Sequence, residues 1–350
     1  MNFEFHYYAT TALALRAGYP AVEARRFGLS SQHVDQAKLS WLVEDCPGPG
    51  DAPYQTPKTQ DYIFWDESVF RDIYLPFHFV PGDPEKARRQ RIDGMTNPWI
   101  VTPDSPMARE ILVLALRSGD PYRVGIALHC FADTWAHQNF SGRMEAINDL
   151  GTRSPLPAAG HFQALAAPDR ASELWDDPRL FDARINNVDR FLAAARMIYR
   201  FLRTSLRKPF DDEDLVLSEL ADIWARTDLD DRDRAVEFTL RFDVEPWDST
   251  AWFADAGIVA SDGELGPRSY DRLRWLGTEL RKRSGIGEGL TRVNTGGRFA
   301  PSEFHAWCEA AKAHRQAALS VIDARLGTDD SAGLGGNPRH DGSLPGSMPA

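Results

Sequence analysis

Cysteine, long apolar runs and excess positive charge are all scarce in this 350-residue chain. The three cysteines, Cys46, Cys130 and Cys308, are widely spaced, which disfavours a disulfide framework or a cysteine-based zinc knuckle. No run of ~18 apolar residues is present to form a transmembrane helix. The N-terminus lacks the basic and apolar regions of a secretory signal peptide. These absences predict a cytoplasmic protein.

Basic residues are fewer than acidic ones, 40 against 51, so the chain has a net charge of −11. A broad nucleic-acid surface requires clustered lysine and arginine, so the composition argues against one. A small phosphate-bearing substrate is compatible with it, because bound cations invert the local field of an acidic protein. The oligomeric state is left open by the sequence.

What the chain does contain is helical periodicity. Apolar residues recur three and four apart through most of it, and several segments begin with a capping residue that proline follows. The segments with these patterns start at Asp83, Ser105, Asp120, Asp182, Asp212, Asp231 and Pro301. The sequence therefore predicts an all-α fold.

Strand signals are weak by comparison. We interpret "QDYIFWD", "YLPFHFVPG", the Pro/Gly-rich residues 46–60 and residues 283–297 as loops between helices. No linker divides the chain, so we predict one helical metal-binding domain over residues 1–327, with an extra helical layer from about residue 210. Residues 328–350 have the composition of a disordered tail.

One segment, "ALHCFADTWAHQNFSG", carries His129, Asp133 and His137 at steps of four. Because each helical residue advances ~100°, the three side chains project from one face. The helix is predicted to begin at Asp120 and to end within Asn139–Gly142. A buried helix with a polar stripe is one interpretation. A metal site is favoured, because burying a carboxylate costs several kcal/mol unless it is paired or binds a metal.

Further imidazole and carboxylate residues elsewhere in the chain suit zinc or a similar divalent ion. Those with a place in the predicted site are His6, Asp35, His78 and His161. His33 lies two residues before Asp35, so on a helix the two face different ways. We choose Asp35 as the ligand and expect His33 at the surface or behind a ligand. His305, His314 and His340 are expected to be structural or incidental.

Four segments, "FHYYAT", "SSQHVDQ", "PFHFVPG" and "HCFADTWAHQNFSG", resemble the zinc-dependent phospholipase C and fungal single-strand nuclease superfamily. They look like a bacterial branch related to it, and the resemblance covers residues 1–175. It implies an all-helical phospholipase C/nuclease-like domain in which three zinc ions hydrolyse phosphate esters.

The resemblance also implies which residues hold each ion. Asp35, His78, His129 and Asp133 would hold the first, His6 and a bridging Asp133 the second, and His137 and His161 the third. In that superfamily the N-terminal amine also binds the second ion, and a carboxylate four residues after the last histidine binds the third. This chain has Leu165 at that place and Asp169 four residues further on, so two ions and three remain alternatives. Whether the Met1 amine or Asp169 binds an ion is also open.

The predicted function is metal-dependent hydrolysis of a phosphate ester, of the phosphodiesterase or phosphatase type. Asp133 and Asp35 are the predicted catalytic residues: Asp133 bridges two ions, and Asp35 orients the attacking water or acts as its base. Candidates for added positive charge are Arg123, Arg143 and Arg170. Candidates for stacking a base or packing an acyl chain are Trp65, Phe79 and Trp135.

Two other functions use similar residues. A dinuclear iron or manganese oxygenase on a helical HD-like scaffold has His and Asp ligands. However, the one His-Asp dipeptide here, His340–Asp341, lies in the predicted tail, and no Glu-x-x-His motif occurs. A non-catalytic structural metal protein is the second alternative. Structural zinc sites are closed by four ligands, and the ligands predicted here exceed one such site.

Overall fold

The computed structural model describes residues 1–151, 154–248, 250–258 and 291–327. Within them the fold is mainly helical, as predicted. Two π-helical turns, Glu4–Ala9 and Phe70–Tyr74, accompany the α-helices. The α-helices are α1 Thr10–Ala17, α2 Ala21–Gln36, α3 Glu67–Val69, α4 Leu75–Phe77, α5 Pro84–Gln90, α6 Pro106–Ser118, α7 Pro121–Ala136, α8 Asn187–Ser205, α9 Glu213–Trp224, α10 Asp231–Phe242, α11 Ala251–Asp255 and α12 Glu303–Leu326.

Three of the predicted helix starts are formed by the capping residues that the sequence indicated. The side chains of Asp83, Ser105 and Asp120 each accept hydrogen bonds from backbone N–H groups in the first turn of α5, α6 and α7. In each helix a proline follows the cap, where its missing N–H is not needed. These three predictions are confirmed.

The predicted helix start at Asp182 is wrong. Residues Arg184–Asn186 form strand β4, which pairs antiparallel with β3, Leu174–Asp176. Helix α8 begins only after this hairpin, with the Asn186 side chain accepting a hydrogen bond from the Val188 N–H. The start of α12 also moves, because Ser302 caps it and Pro301 lies outside.

The two predicted loops at residues 46–60 and 283–297 contain strand residues, so that prediction is partly wrong. Strand β1, Trp41–Pro47, pairs antiparallel with β2, Pro53–Gln55. Its other edge pairs in parallel with β5, Thr291–Val293, although almost 250 residues separate them in the sequence. The rest of the second loop before residue 291, and the predicted tail, lie outside the described residues.

Helix α7 lies inside the fold and contacts α2, α6, α8 and α12. Its approach to α2 requires glycine at Gly125, because a Cβ there would be 2.4 Å from the Phe27 carbonyl oxygen. On the other side of α2, a Cβ at Gly28 would be 2.7 Å from the Tyr7 carbonyl oxygen. These two close approaches stack α7, α2 and the first π-helical turn, and all three carry predicted metal ligands.

The described helices include none with both the length and the apolar character needed to cross a bilayer.

In the predicted additional layer, α10 is tied to the first π-helical turn by a buried ion pair between Arg234 Nε and Glu4 Oε2, 2.8 Å apart. The division into one domain over residues 1–327 stays a prediction.

Candidate metal centre

The seven predicted metal ligands come from several elements of the fold and meet in one region. His6 lies in a π-helical turn, Asp35 on α2, and His78 at the end of α4. His129 and Asp133 lie on α7, His137 caps its end, and His161 precedes the 3-10 turn Phe162–Ala164. Together with Asp169 they form three groups whose donor atoms lie within 4.8 Å of one another. We name them site A (Asp35, His78, His129 and, from its distances, Asp133), site B (His6, His129, Asp133) and site C (His137, His161, Asp169).

Site A has the spacing of a tetrahedral donor set. His78 Nδ1, His129 Nε2 and Asp133 Oδ2 are 3.2 Å from one another. Asp35 Oδ1 lies 3.9 Å from His78 Nδ1 and 3.8 Å from His129 Nε2. Ligand atoms of one tetrahedral zinc ion are about 3.3–3.6 Å apart, given bonds of ~2.0–2.2 Å. The four side chains therefore fit one ion with little movement.

Asp133 connects site A to site B through its two oxygens. Its Oδ2 faces site A, whereas its Oδ1 lies 3.2 Å from His6 Nε2 and 2.5 Å from the Met1 nitrogen. Asp35 repeats this arrangement, because its Oδ2 lies 3.9 Å from His6 Nε2. A carboxylate with one oxygen toward each site has the geometry that the bridging prediction for Asp133 requires.

Site C includes Asp169, which the sequence left as an open alternative. His161 Nε2 and Asp169 Oδ2 are 3.4 Å apart, and the rings of His137 and His161 stack with centroids 5.1 Å apart. Two short 3-10 turns, separated by Leu165 at φ 55°, bring Asp169 back toward His161. The Met1 nitrogen lies 3.5 Å from Asp169 Oδ1, between sites B and C.

In three of the predicted ligand histidines, one ring nitrogen bonds a backbone carbonyl, as is typical of metal-binding histidines. His78 Nε2 bonds the Thr59 carbonyl, and His137 Nδ1 bonds the His78 carbonyl, both at 2.8 Å. His161 Nδ1 bonds the Leu165 carbonyl at 2.9 Å. A metal-binding histidine typically donates its second N–H in this way, which fixes the tautomer. In each ring the other nitrogen is left for an ion.

The pKa shifts of His129 and His137 favour neutral imidazoles and that of Asp133 an ionised carboxylate, whereas the pKa of His78 moves the other way. Burial lowers the pKa of His129 to about 4 and that of His137 to about 3, despite the attraction of Asp133. Burial lowers the pKa of His78, but hydrogen bonding to Asp133 and the charge of Asp35 outweigh it, so the net shift is upward. Burial would raise the pKa of Asp133, yet the Met1 ammonium and the histidines hold it well below its usual value. Neutral imidazole and ionised carboxylate are the forms that bind metals.

The sites open into a cavity of about 890 Å³. Phe79, a predicted stacking residue, is in its lining and stacks on His137 at 4.3 Å. Trp65 and Trp135 are outside the lining, as are all three predicted arginines; Arg143, for example, pairs with Glu67. Those predictions are wrong for this cavity, because the folding of distant segments decides which cations face it. The lysine and arginine side chains in the lining are Lys38 and Arg232.

The histidines outside the sites have structural surroundings. His33 is not at the surface: it is 3% exposed and its ring lies 4.3 Å from Trp307, and burial lowers its pKa to about 4. His314 is also buried and bonds the Pro76 carbonyl at 3.0 Å. His305 bonds the Ala300 carbonyl. His340 lies outside the described residues.

The model of DUF6765, a family of unknown function, matches residues 1–322. The chain belongs to DUF6765. All three candidate sites of this DUF6765 protein lie inside the matched span. Neither a curated protein nor a solved structure matches the chain.

Proposed function

We propose that this DUF6765 protein is a metal-dependent hydrolase that acts on a phosphate ester and holds two or three zinc ions. The observation that carries the proposal is the meeting of sites A, B and C around Asp133, a carboxylate only 1% exposed. A buried carboxylate within 3.2 Å of three imidazole nitrogens is the donor arrangement of a multinuclear centre.

Access to solvent favours a catalytic over a structural centre. The side chains of Asp35, His161 and Asp169 are 29%, 20% and 24% exposed, and all three line the cavity. Structural zinc sites are closed, whereas catalytic sites keep a position open to water and substrate. Here the ligands on α7 are buried, whereas the ligands that face the cavity are partly accessible to solvent.

The residues divide the chemistry between them. Bound divalent ions would supply Lewis acidity toward the phosphoryl oxygens and a lowered pKa for water. Asp35 is a partly exposed carboxylate of site A whose Oδ2 faces His6 of site B, so it is placed to accept a proton from the attacking water. Gln60 Nε2 donates to Asp35 Oδ1 at 3.4 Å and orients it. Lys38 and Arg232 add positive charge that attracts an anionic ester into an acidic protein.

The remaining walls are suited to the organic part of the ester. Phe3, Phe64, Phe162 and Trp247 line the cavity, and the rings of Phe3 and Trp247 are in contact, with centroids 4.8 Å apart. Such a wall stabilises an apolar or aromatic group through buried area.

Elemental analysis of the purified protein, followed by a panel of phosphate mono- and diesters, tests the proposal. We expect two or three zinc ions per chain and turnover that chelation removes and zinc restores. A coloured, iron-rich protein would instead favour the oxygenase alternative. A zinc-loaded protein with no activity on any ester of the panel would overturn the hydrolase proposal.

A further inference from the structure

Two glutamines in the cavity lining have buried amide atoms without a hydrogen-bond partner among the described residues. Gln32 is 2% exposed and its Oε1 accepts no hydrogen bond; Gln36 is 9% exposed and its Nε2 donates none. Buried polar groups almost always have a partner. One bound group that donates to the acceptor and accepts from the donor would satisfy both atoms.

A third glutamine in the same lining shows the contrast. The Gln60 side chain donates to Asp35 through Nε2 and accepts from the Asp61 N–H through Oε1, at 2.9 Å. Both ends of that amide are used by the protein. The unpaired atoms of Gln32 and Gln36 are thus not a general property of glutamine in this cavity.

Gln32 and Gln36 are four residues apart on α2 and therefore share a helix face. Asp35, three residues after Gln32 and directly before Gln36, borders that face and lines the same cavity. Gln36 is held at one end, because its Oε1 lies 3.3 Å from His33 Nδ1. Since Asp35 belongs to site A, a group bound between the two amides would lie beside the metal centre.

We propose that Gln32 and Gln36 form a hydroxyl-binding subsite that takes the alcohol portion of a polyol phosphate. A hydroxyl is the group that donates to one amide oxygen and accepts from a neighbouring amide nitrogen at the same time. A carboxylate or phosphate at this place would be repelled by Asp35 and by Gln32 Oε1, and an ammonium would leave Gln36 Nε2 unpaired. The phosphate part of this assignment rests on the proposed function, whereas the hydroxyl part does not.

The experiment compares glycerol phosphate with propyl phosphate, two monoesters of equal carbon number that differ in hydroxyl groups. We measure kcat/KM and equilibrium binding for both esters in the zinc-loaded, full-length protein. The expected preference for the glycerol ester is roughly tenfold or more, since a site built to bond a hydroxyl rejects the analogue that lacks it. In the Gln32→Leu/Gln36→Leu variant this preference is lost through a higher KM for the glycerol ester, with zinc content retained.

The matched control is Gln316→Leu on α12, a glutamine that is exposed and outside the cavity lining; it should keep the preference. If both esters bind but neither is hydrolysed, the binding preference still decides the subsite, and the hydrolase proposal is decided by the full panel of mono- and diesters. Equal binding of the two esters by the unmodified protein, or a preference that survives the double substitution, overturns the subsite. A single substitution at each position keeps the test usable if the double variant does not fold.

Discussion

Replacing Asp133 by asparagine should separate the three sites from one another. The substitution keeps the size of the side chain but leaves one oxygen where there were two. That oxygen can serve either site A or site B, and the NH₂ group that replaces the other cannot bind a metal. Site C uses other residues, so we expect it to keep its ion. The variant should therefore lose the ion of site A, of site B or of both, and retain the ion of site C.

The expected losses of zinc affinity and activity follow from the position of Asp133. Removing a residue that only orients a metal ligand costs 10–100-fold in affinity. Asp133 oxygens lie 3.2 Å from three imidazole nitrogens, so its loss should weaken the affected ion at least about 100-fold, or ~2.7 kcal/mol. We expect kcat/KM to fall by about 10³ or more, because the ions stabilise charge that develops in the transition state.

Zinc content by elemental analysis, zinc affinity by competition with a chelator, and ester hydrolysis are the measurements. Asp61→Asn is the matched control: Asp61 is a buried aspartate in the same cavity lining, 3% exposed, that belongs to none of the three sites. It should keep its zinc. Full zinc content and full activity in Asp133→Asn would refute the bridging role and with it the centre of the reasoning.

Three further predictions concern site C, two histidines of the centre and the Glu4–Arg234 ion pair. His161→Ala should remove the ion of site C alone, and loss of every ion in this variant would contradict independent sites. In metal-free protein the pKa of His129 is about 4 and that of His137 about 3, against 6.5 for both unfolded, so the unfolded chain binds these protons first. Its free energy of unfolding should therefore fall as the pH drops from about 6.5 toward 4, by ~3 kcal/mol for His129 alone, and urea titrations at pH 7 and 5 that show no fall would contradict this. Arg234→Ala leaves Glu4 buried and unpaired, so it should destabilise the fold by roughly 3–5 kcal/mol; a loss below 1 kcal/mol in the same assay would argue against that role.

The capping and ligand patterns were accessible from the sequence because they are local. Asp120 followed by Pro121 sets the start of α7 with no help from the rest of the chain. The step of four from His129 to Asp133 then places both side chains on one helix face. The two-residue step from His33 to Asp35 likewise predicts that they face different ways, and the structure has Asp35 in site A and His33 packed against Trp307.

The errors have a common physical cause. Strand β1 has a partner, β5, that is distant in the sequence, so no local pattern indicates it. Helix α8 begins after Asn186 rather than at Asp182, because residues 184–186 form a strand that pairs with β3. The arginines predicted for the cavity face elsewhere, since which cations line a cavity depends on how remote segments pack.

The sequence by itself determined the mainly helical fold, the start of α7 and the residue types of a His/Asp donor set, because helix periodicity and side-chain chemistry are local. Only the tertiary structure decided that these donors meet, that Asp133 has one oxygen toward each of sites A and B, and that Asp169 joins site C. It also decided that Gln32 and Gln36 line a cavity with unpaired amide atoms. Those features depend on the close packing of α7, α2 and the first π-helical turn, which distances within a single segment cannot specify.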